Sequence, residues 1–134
     1  MFKKPDKGKR DKQTSVVLTA EQRMEVYQKY DGCCAYCGNG IEFFQMEVDH
    51  MEAKSRFRDQ RDADFIENFM PACKPCNIRK NTMSIERFRR ELSRDIEQLK
   101  RDSPKFRLML KYGKIQVSDH EIEFYFEKVK KGNG

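Results

Sequence analysis

The sequence predicts a small α+β fold in which cysteine pairs stand in for much of an apolar core, and three observations lead there. Hydrophobic and charged residues each make up 37% of the 134 residues, so the core of a chain this short must be small and needs a staple. Two Cys-x-x-Cys pairs, Cys34/Cys37 and Cys73/Cys76, stand 35 residues apart, a spacing that suits a shared metal ion. An alternating stretch lies between the pairs, and a long segment of helical periodicity follows them. The length is that of one domain. We divide it into a basic tail over 1–14 and a single domain over 15–134, with a central motif at 33–80 and a C-terminal part at 84–130.

The elements follow in order. Residues 1–14 hold six basic and two acidic side chains, supplying most of the formal charge of +6. Nothing in that tail can be buried, so it reads as disordered. Two roles stay open for it: a solvated, solubilising end, or an arm that seeks phosphates. A helix is predicted from Thr19 to Tyr30, where Thr19 and Gln22 fit a capping box and "DG" at 31–32 stops it. Cys34, Cys37 and the "GNG" at 38–40 make a tight knuckle. "FFQMEVD", 43–49, alternates like a strand, and the polar "RFRDQRDAD", 56–64, reads as a loop. "CKPC", 73–76, forms a second knuckle. A helix over 84–101 carries Ile85, Phe88, Leu92, Ile96 and Leu99 on one face, with Arg and Glu opposite and Pro104 closing it. "KIQVS" and "EIEFYFE" alternate like hairpin arms, with a helix as the other reading of the latter.

Four thiolates from two such turns complete a closed, tetrahedral zinc site, which is structural because no position is left for a substrate. A pair of redox dithiols is the competing reading, yet one pair would suffice for that and no thioredoxin-like βαβ pattern surrounds these. Cys33 is the odd cysteine: a small buried residue, or a substitute for Cys34 as ligand. Around the staple stand three further side chains. Asp49 offers a hard oxygen suited to magnesium or manganese, and Asn77, beside the last zinc cysteine, offers a neutral one. His50 follows Asp49 and, on a strand, faces the other way. Imidazole is the side chain that exchanges a proton near neutral pH. Taken singly, these read rather as a surface Asp, a capping Asn and a packed His.

Together, "CAYCG…VDH…ENFMPACKPCNIRK" resembles the HNH endonuclease family in its zinc-containing form, with Asn as the third letter. The resemblance covers residues 33–80. It implies a ββα-metal fold around one catalytic divalent cation, magnesium or manganese, held by Asp49 and Asn77, with His50 as general base. It further implies that Asn68 holds the loop carrying His50 through backbone hydrogen bonds, and that Lys80 lies near the scissile phosphate. DNA, duplex or branched, is the expected substrate and RNA the other, cut to 5′-phosphate and 3′-hydroxyl ends without a small-molecule cofactor. The basic tail and the Arg-rich 87–94 stretch would then track the backbone. Many members read "DHxxPxSxGG" where this chain has "DHMEAKSRFRD", so the family's shape for that loop does not carry over. The reading from another class is a zinc-stapled nucleic-acid-binding or scaffold module without catalysis. Neither a secretory h-region nor an apolar run of membrane length is found, and a cytoplasmic location is expected.

Overall fold

The computed structural model describes residues 18–132; the tail expected over 1–14 lies outside the described residues. Helix α1 spans Ala20–Gln28. The Thr19 hydroxyl accepts from the Gln22 amide at 3.1 Å and the Gln22 side chain accepts from the Thr19 amide at 3.0 Å. Both orphan donors of the capping box are thereby satisfied. Asp31 and Gly32 then turn the chain at φ +53° and +78°, the left-handed region in which glycine carries no steric cost.

The strand expected over 43–49 forms only in its second half. Phe43–Gln45 is a 3₁₀ turn, and strand β1 covers Glu47–His50. The cause lies in α1, where the Arg23 guanidinium donates to the carbonyls of Phe43 at 3.0 Å and Met46 at 2.5 Å. Carbonyls turned towards that guanidinium are withdrawn from a sheet ladder. Strand β2, Phe69–Ala72, pairs antiparallel with β1, setting Asp49 opposite Met70 and His50 opposite Phe69. All four β2 residues are buried. Pro71 is tolerated because a two-stranded sheet has only edges, and its carbonyl accepts from the Ala35 amide at 2.8 Å. Between the strands the chain makes three 3₁₀ turns, Lys54–Arg56, Gln60–Ala63 and Ile66–Asn68.

Cys73 is the N-cap of helix α2, Lys74–Lys80, with Pro75 in the first turn, where its missing N–H costs nothing. The second cysteine pair therefore sits on the start of a helix, and the order β1, β2, α2 is a ββα unit. Helix α3, Ile85–Asp102, is capped by Ser84, which accepts from the Arg87 amide at 3.2 Å. Of its apolar stripe, Phe88 alone is fully buried. Pro104 does close α3, but it also opens helix α4, Pro104–Lys111, which the sequence reading missed. Ser103 ends the one and caps the other.

The hairpin expected at the C-terminus does not form. Residues 114–118 have no regular structure, and helix α5 spans Tyr125–Gly132, which realises the helical reading of "EIEFYFE" from Tyr125 onward. The alternation there serves docking. The amides of Tyr125 and Phe126 donate to the carbonyls of Tyr36 at 3.1 Å and Ala35 at 2.8 Å. Phe124 is 2% exposed and stacks on Phe88 with centroids 5.1 Å apart. Arg89 of α3 holds this segment down. It donates to both Glu127 oxygens at 2.8 Å and to the Ile122 carbonyl, and lies 5.1 Å over the Phe124 ring. Within the Arg-rich 87–94 stretch, Arg89 thus faces inward, while Arg87, Arg90 and Arg94 are exposed. The main core joins Cys34, Ala35 and Tyr36 to Met70, Ala72, Phe88 and Phe124. No helix among the described residues is long and apolar enough to cross a membrane.

Candidate active site

Two turns bring the sulfurs of Cys34, Cys37, Cys73 and Cys76 within 4.8 Å of one another. A tetrahedral ion with Zn–S bonds of about 2.3 Å separates its sulfurs by about 3.8 Å, and Cys37 Sγ and Cys73 Sγ are 3.8 Å apart. The donor set and its size fit zinc, and the cluster is a zinc-binding site. A hydrogen bond from Cys76 holds the Cys34 thiol down to about 4, and the same bond pushes the Cys76 thiol up. Four sulfurs this close cannot all be thiolates without a cation among them, so ion binding and the cysteine charges are linked. Gly38 closes the first knuckle at φ +81°, and an added Cβ there would come within 2.8 Å of the Tyr125 ring. Cys33 lies outside the cluster, half-buried, its thiol 4.0 Å from the Asp31 carbonyl. That leaves Cys34 as the ligand.

On β1 the alternation of side chains puts Glu47 and Asp49 on one face and His50 on the other. Asp49 is 1% exposed. Its Oδ2 accepts from the Tyr36 hydroxyl at 2.5 Å and pairs with the Lys80 ammonium at 2.9 Å. Burial pushes the Asp49 carboxyl up, opposed by Lys80 and the Tyr36 hydroxyl. Burial, helped by the same contact, drives the Tyr36 phenol well above its usual range. Lys80 is fully buried and also donates to the His50 carbonyl at 3.0 Å. The resemblance sets Lys80 beside a phosphate; its ammonium is instead enclosed, where it ties α2 to β1. Both bonds to Asp49 fall on Oδ2, and no buried side-chain oxygen among the described residues lacks a partner, so Oδ1 is the oxygen open to a cation.

Asn77, 8% exposed, donates through Nδ2 to Glu47 Oε2 at 2.7 Å. A carboxylate only accepts, so Glu47 selects the amide's nitrogen and leaves its oxygen as a donor to a metal. Asp49 and Asn77 thus offer oxygens of the type an oxygen-preferring divalent cation takes, and Glu47 orients the Asn77 amide. Glu47 was legible in the sequence as the position two before Asp49 on the same strand face. Tyr36 was not, because nothing in the first knuckle announces a partner on β1.

Asn68 is 1% exposed and spends its whole amide on the backbone. Its Oδ1 accepts from the Glu52 amide at 2.8 Å, and its Nδ2 donates to the carbonyls of Glu52 at 2.9 Å and Ala63 at 3.0 Å. These bonds pin both ends of the loop that follows His50. His50 itself is 3% exposed, edge-on to Phe69 with centroids 5.3 Å apart, and its Nε2 lies 2.7 Å from Asp64 Oδ1. Asp64 sits fourteen positions away in a polar loop, and no periodicity in the sequence marks it.

Residues 34–82 match the family model described as HNH endonuclease. Over that stretch the chain is similar to an HNH endonuclease domain. No curated protein and no solved structure matches the chain. The HNH match covers the four zinc cysteines together with Asp49, His50, Asn68, Asn77 and Lys80. The ββα unit and the zinc cluster thus lie within the matched stretch, whereas α1 and the segments after residue 82 lie outside it.

Proposed function

We propose that the chain is a metal-dependent endonuclease that hydrolyses phosphodiester bonds in DNA. The observation that carries this reading is the HNH match over the stretch in which an acceptor-rich strand face, Glu47 and Asp49, meets Asn77 while His50 stands on the opposite face. Asp49 and Asn77 would hold magnesium or manganese. That cation, when bound, polarises a phosphoryl oxygen and stabilises the departing 3′ oxygen. His50 takes a proton from the attacking water, whose oxygen bonds to phosphorus as the bond to the 3′ oxygen breaks. Products carry 5′-phosphate and 3′-hydroxyl ends. Exposed Arg87, Arg90 and Arg94 on α3, with the basic residues of 1–14, supply charge for backbone contacts. The location proposed for it is cytoplasmic.

The test is cleavage of plasmid, linear duplex, branched junction and single-stranded RNA, each with magnesium, manganese or EDTA, followed by end mapping. His50→Ala is expected to keep its zinc and its binding of DNA while losing about 10²–10⁴ in rate, the usual share of a general base. Cleavage of RNA alone would move the substrate and keep the chemistry. Binding of duplex DNA without cleavage in either metal would favour the non-catalytic module. Wild-type rates in His50→Ala would remove His50 from the mechanism.

A further inference from the structure

His50 meets a carboxylate that belongs to no part of the family motif. Asp64 follows the 3₁₀ turn Gln60–Ala63 and presents Oδ1 at 2.7 Å from His50 Nε2. Its placement is over-determined by the loop. Asn68 Nδ2 grips the carbonyl of Ala63, the residue before Asp64, and both Asn68 side-chain atoms grip Glu52, two residues after His50. The Asp64 amide closes on the Arg61 carbonyl at 3.0 Å, and Lys54 Nζ stands 3.7 Å from the same Asp64 oxygen. The loop that departs from the common family pattern is the one that delivers this carboxylate.

A neutral imidazole carries one N–H and one lone pair, and which nitrogen holds which is set by the partner of the other. A carboxylate can only accept, so a 2.7 Å contact to Nε2 requires Nε2–H. Nδ1 then carries the lone pair. No hydrogen bond among the described residues uses Nδ1, and no buried side-chain nitrogen or oxygen among them lacks a partner, so Nδ1 is not sealed from solvent. Resting on the endonuclease reading above, we propose that Asp64 is the positioning residue of the general base. It holds His50 as the Nε2–H tautomer and aims Nδ1 at the attacking water. In the step, the water's proton passes to Nδ1 while Nε2 keeps its own. The oxygen bonds to phosphorus, the bond to the 3′ oxygen breaks, that oxygen takes a proton from solvent, and His50 later returns the added proton to solvent. The Asp64 carboxylate offsets the positive charge on the ring in the interval, as the third member of a nucleophile–base–carboxylate triad does. A bare surface ion pair with Lys54 is the other role this geometry allows, and it predicts no kinetic effect.

The experiment uses the full zinc-loaded chain, as wild type, Asp64→Asn and Asp64→Glu, with plasmid and magnesium. Asp64 is 30% exposed at its side chain, so none of these changes cuts into the core. Asp64→Asn should lower kcat about 10- to 10³-fold, within a general base's share, with KM, zinc content and melting temperature unchanged. Asp64→Glu should recover part of the loss. Nitrogen-15 spectra of histidine-labelled protein, assigned with His120→Gln, should show Nδ1 as the unprotonated nitrogen of neutral His50 in wild type and mixed tautomers in Asp64→Asn. Equal kcat in Asp64→Asn and an active wild type would overturn the proposal alone, as would an unprotonated Nε2. A wild type that cuts nothing in any metal would sink the endonuclease reading, and the positioning role with it.

Discussion

At the scale of single residues, Asp49 and Lys80 change meaning between sequence and structure. In the sequence Asp49 is the cation ligand that the family resemblance implies. In the structure it is half of a buried ion pair with Lys80, the two side chains 2% and 0% exposed. Removing one partner leaves the other charged and desolvated, which costs about 3–5 kcal/mol. Lys80→Met and Asp49→Ala should each lose about that much in chemical denaturation of the zinc-loaded protein. The double variant Asp49→Leu/Lys80→Met should recover a large part, because two apolar groups of similar volume need no partner. Strictly additive losses would mean that the two charges do not see each other. Cys33→Ser belongs at the other extreme. Its sulfur lies 4.0 Å from the Asp31 carbonyl and beside the Tyr125 phenol, polar neighbours that a serine hydroxyl also suits, and the change should stay within about 0.5 kcal/mol.

At the scale of elements, α5 is held to α3 chiefly through Arg89. The Arg89 guanidinium beside Glu127 holds that carboxyl below the usual glutamate range, and Arg89 is itself raised by Glu127. A carboxyl whose folded pKa lies below its unfolded one binds fewer protons when folded. Its contribution is therefore complete above the ordinary glutamate range and is lost as pH falls through the lowered Glu127 value. Glu127→Gln removes that dependence. Urea midpoints of wild type and Glu127→Gln, followed from neutral to acid pH, should converge as the pH drops, and a constant gap would deny the pair its role. Glu127 is 28% exposed at its side chain, so the gap at neutral pH should be modest, about 1 kcal/mol.

For the molecule as a whole, zinc joins segments that are far apart in the chain. The first knuckle contributes Cys34, Ala35 and Tyr36 to the core, and β2 contributes Met70 and Ala72 beside the second pair. Loss of the ion therefore detaches the core's two halves from each other. Cys73→Ser, or chelation of the wild type, should produce a largely unfolded chain, since structural zinc supplies folding free energy of about 10 kcal/mol or more in small domains. Circular dichroism with zinc analysis in parallel decides it: a folded, zinc-free protein would show that the core stands alone. Cleavage should follow the same curve, because Asn77 adjoins Cys76 and α2 starts at the second pair.

What the sequence determined by itself were the features written in local spacing. The cysteine pairs, the capping box of Thr19 and Gln22, the α3 stripe from Ile85 to Leu99 and the order Asp49, His50, Asn68, Asn77 all depend on residues a few positions apart or on a motif read in order. Tertiary structure decided whatever depends on a partner far along the chain. Arg23 turned Phe43–Gln45 from strand to 3₁₀ turn, 20 residues away. The Tyr36 and Ala35 carbonyls took the amides that an expected hairpin would have used, nearly 90 positions later in the chain. Asp64 reached His50 only because Asn68 closes the loop between them. Periodicity reports which face of an element is apolar, but it does not name the group that will meet that face. For a domain with so little core, those distant polar partners settle both the edges of its elements and the surroundings of its histidine.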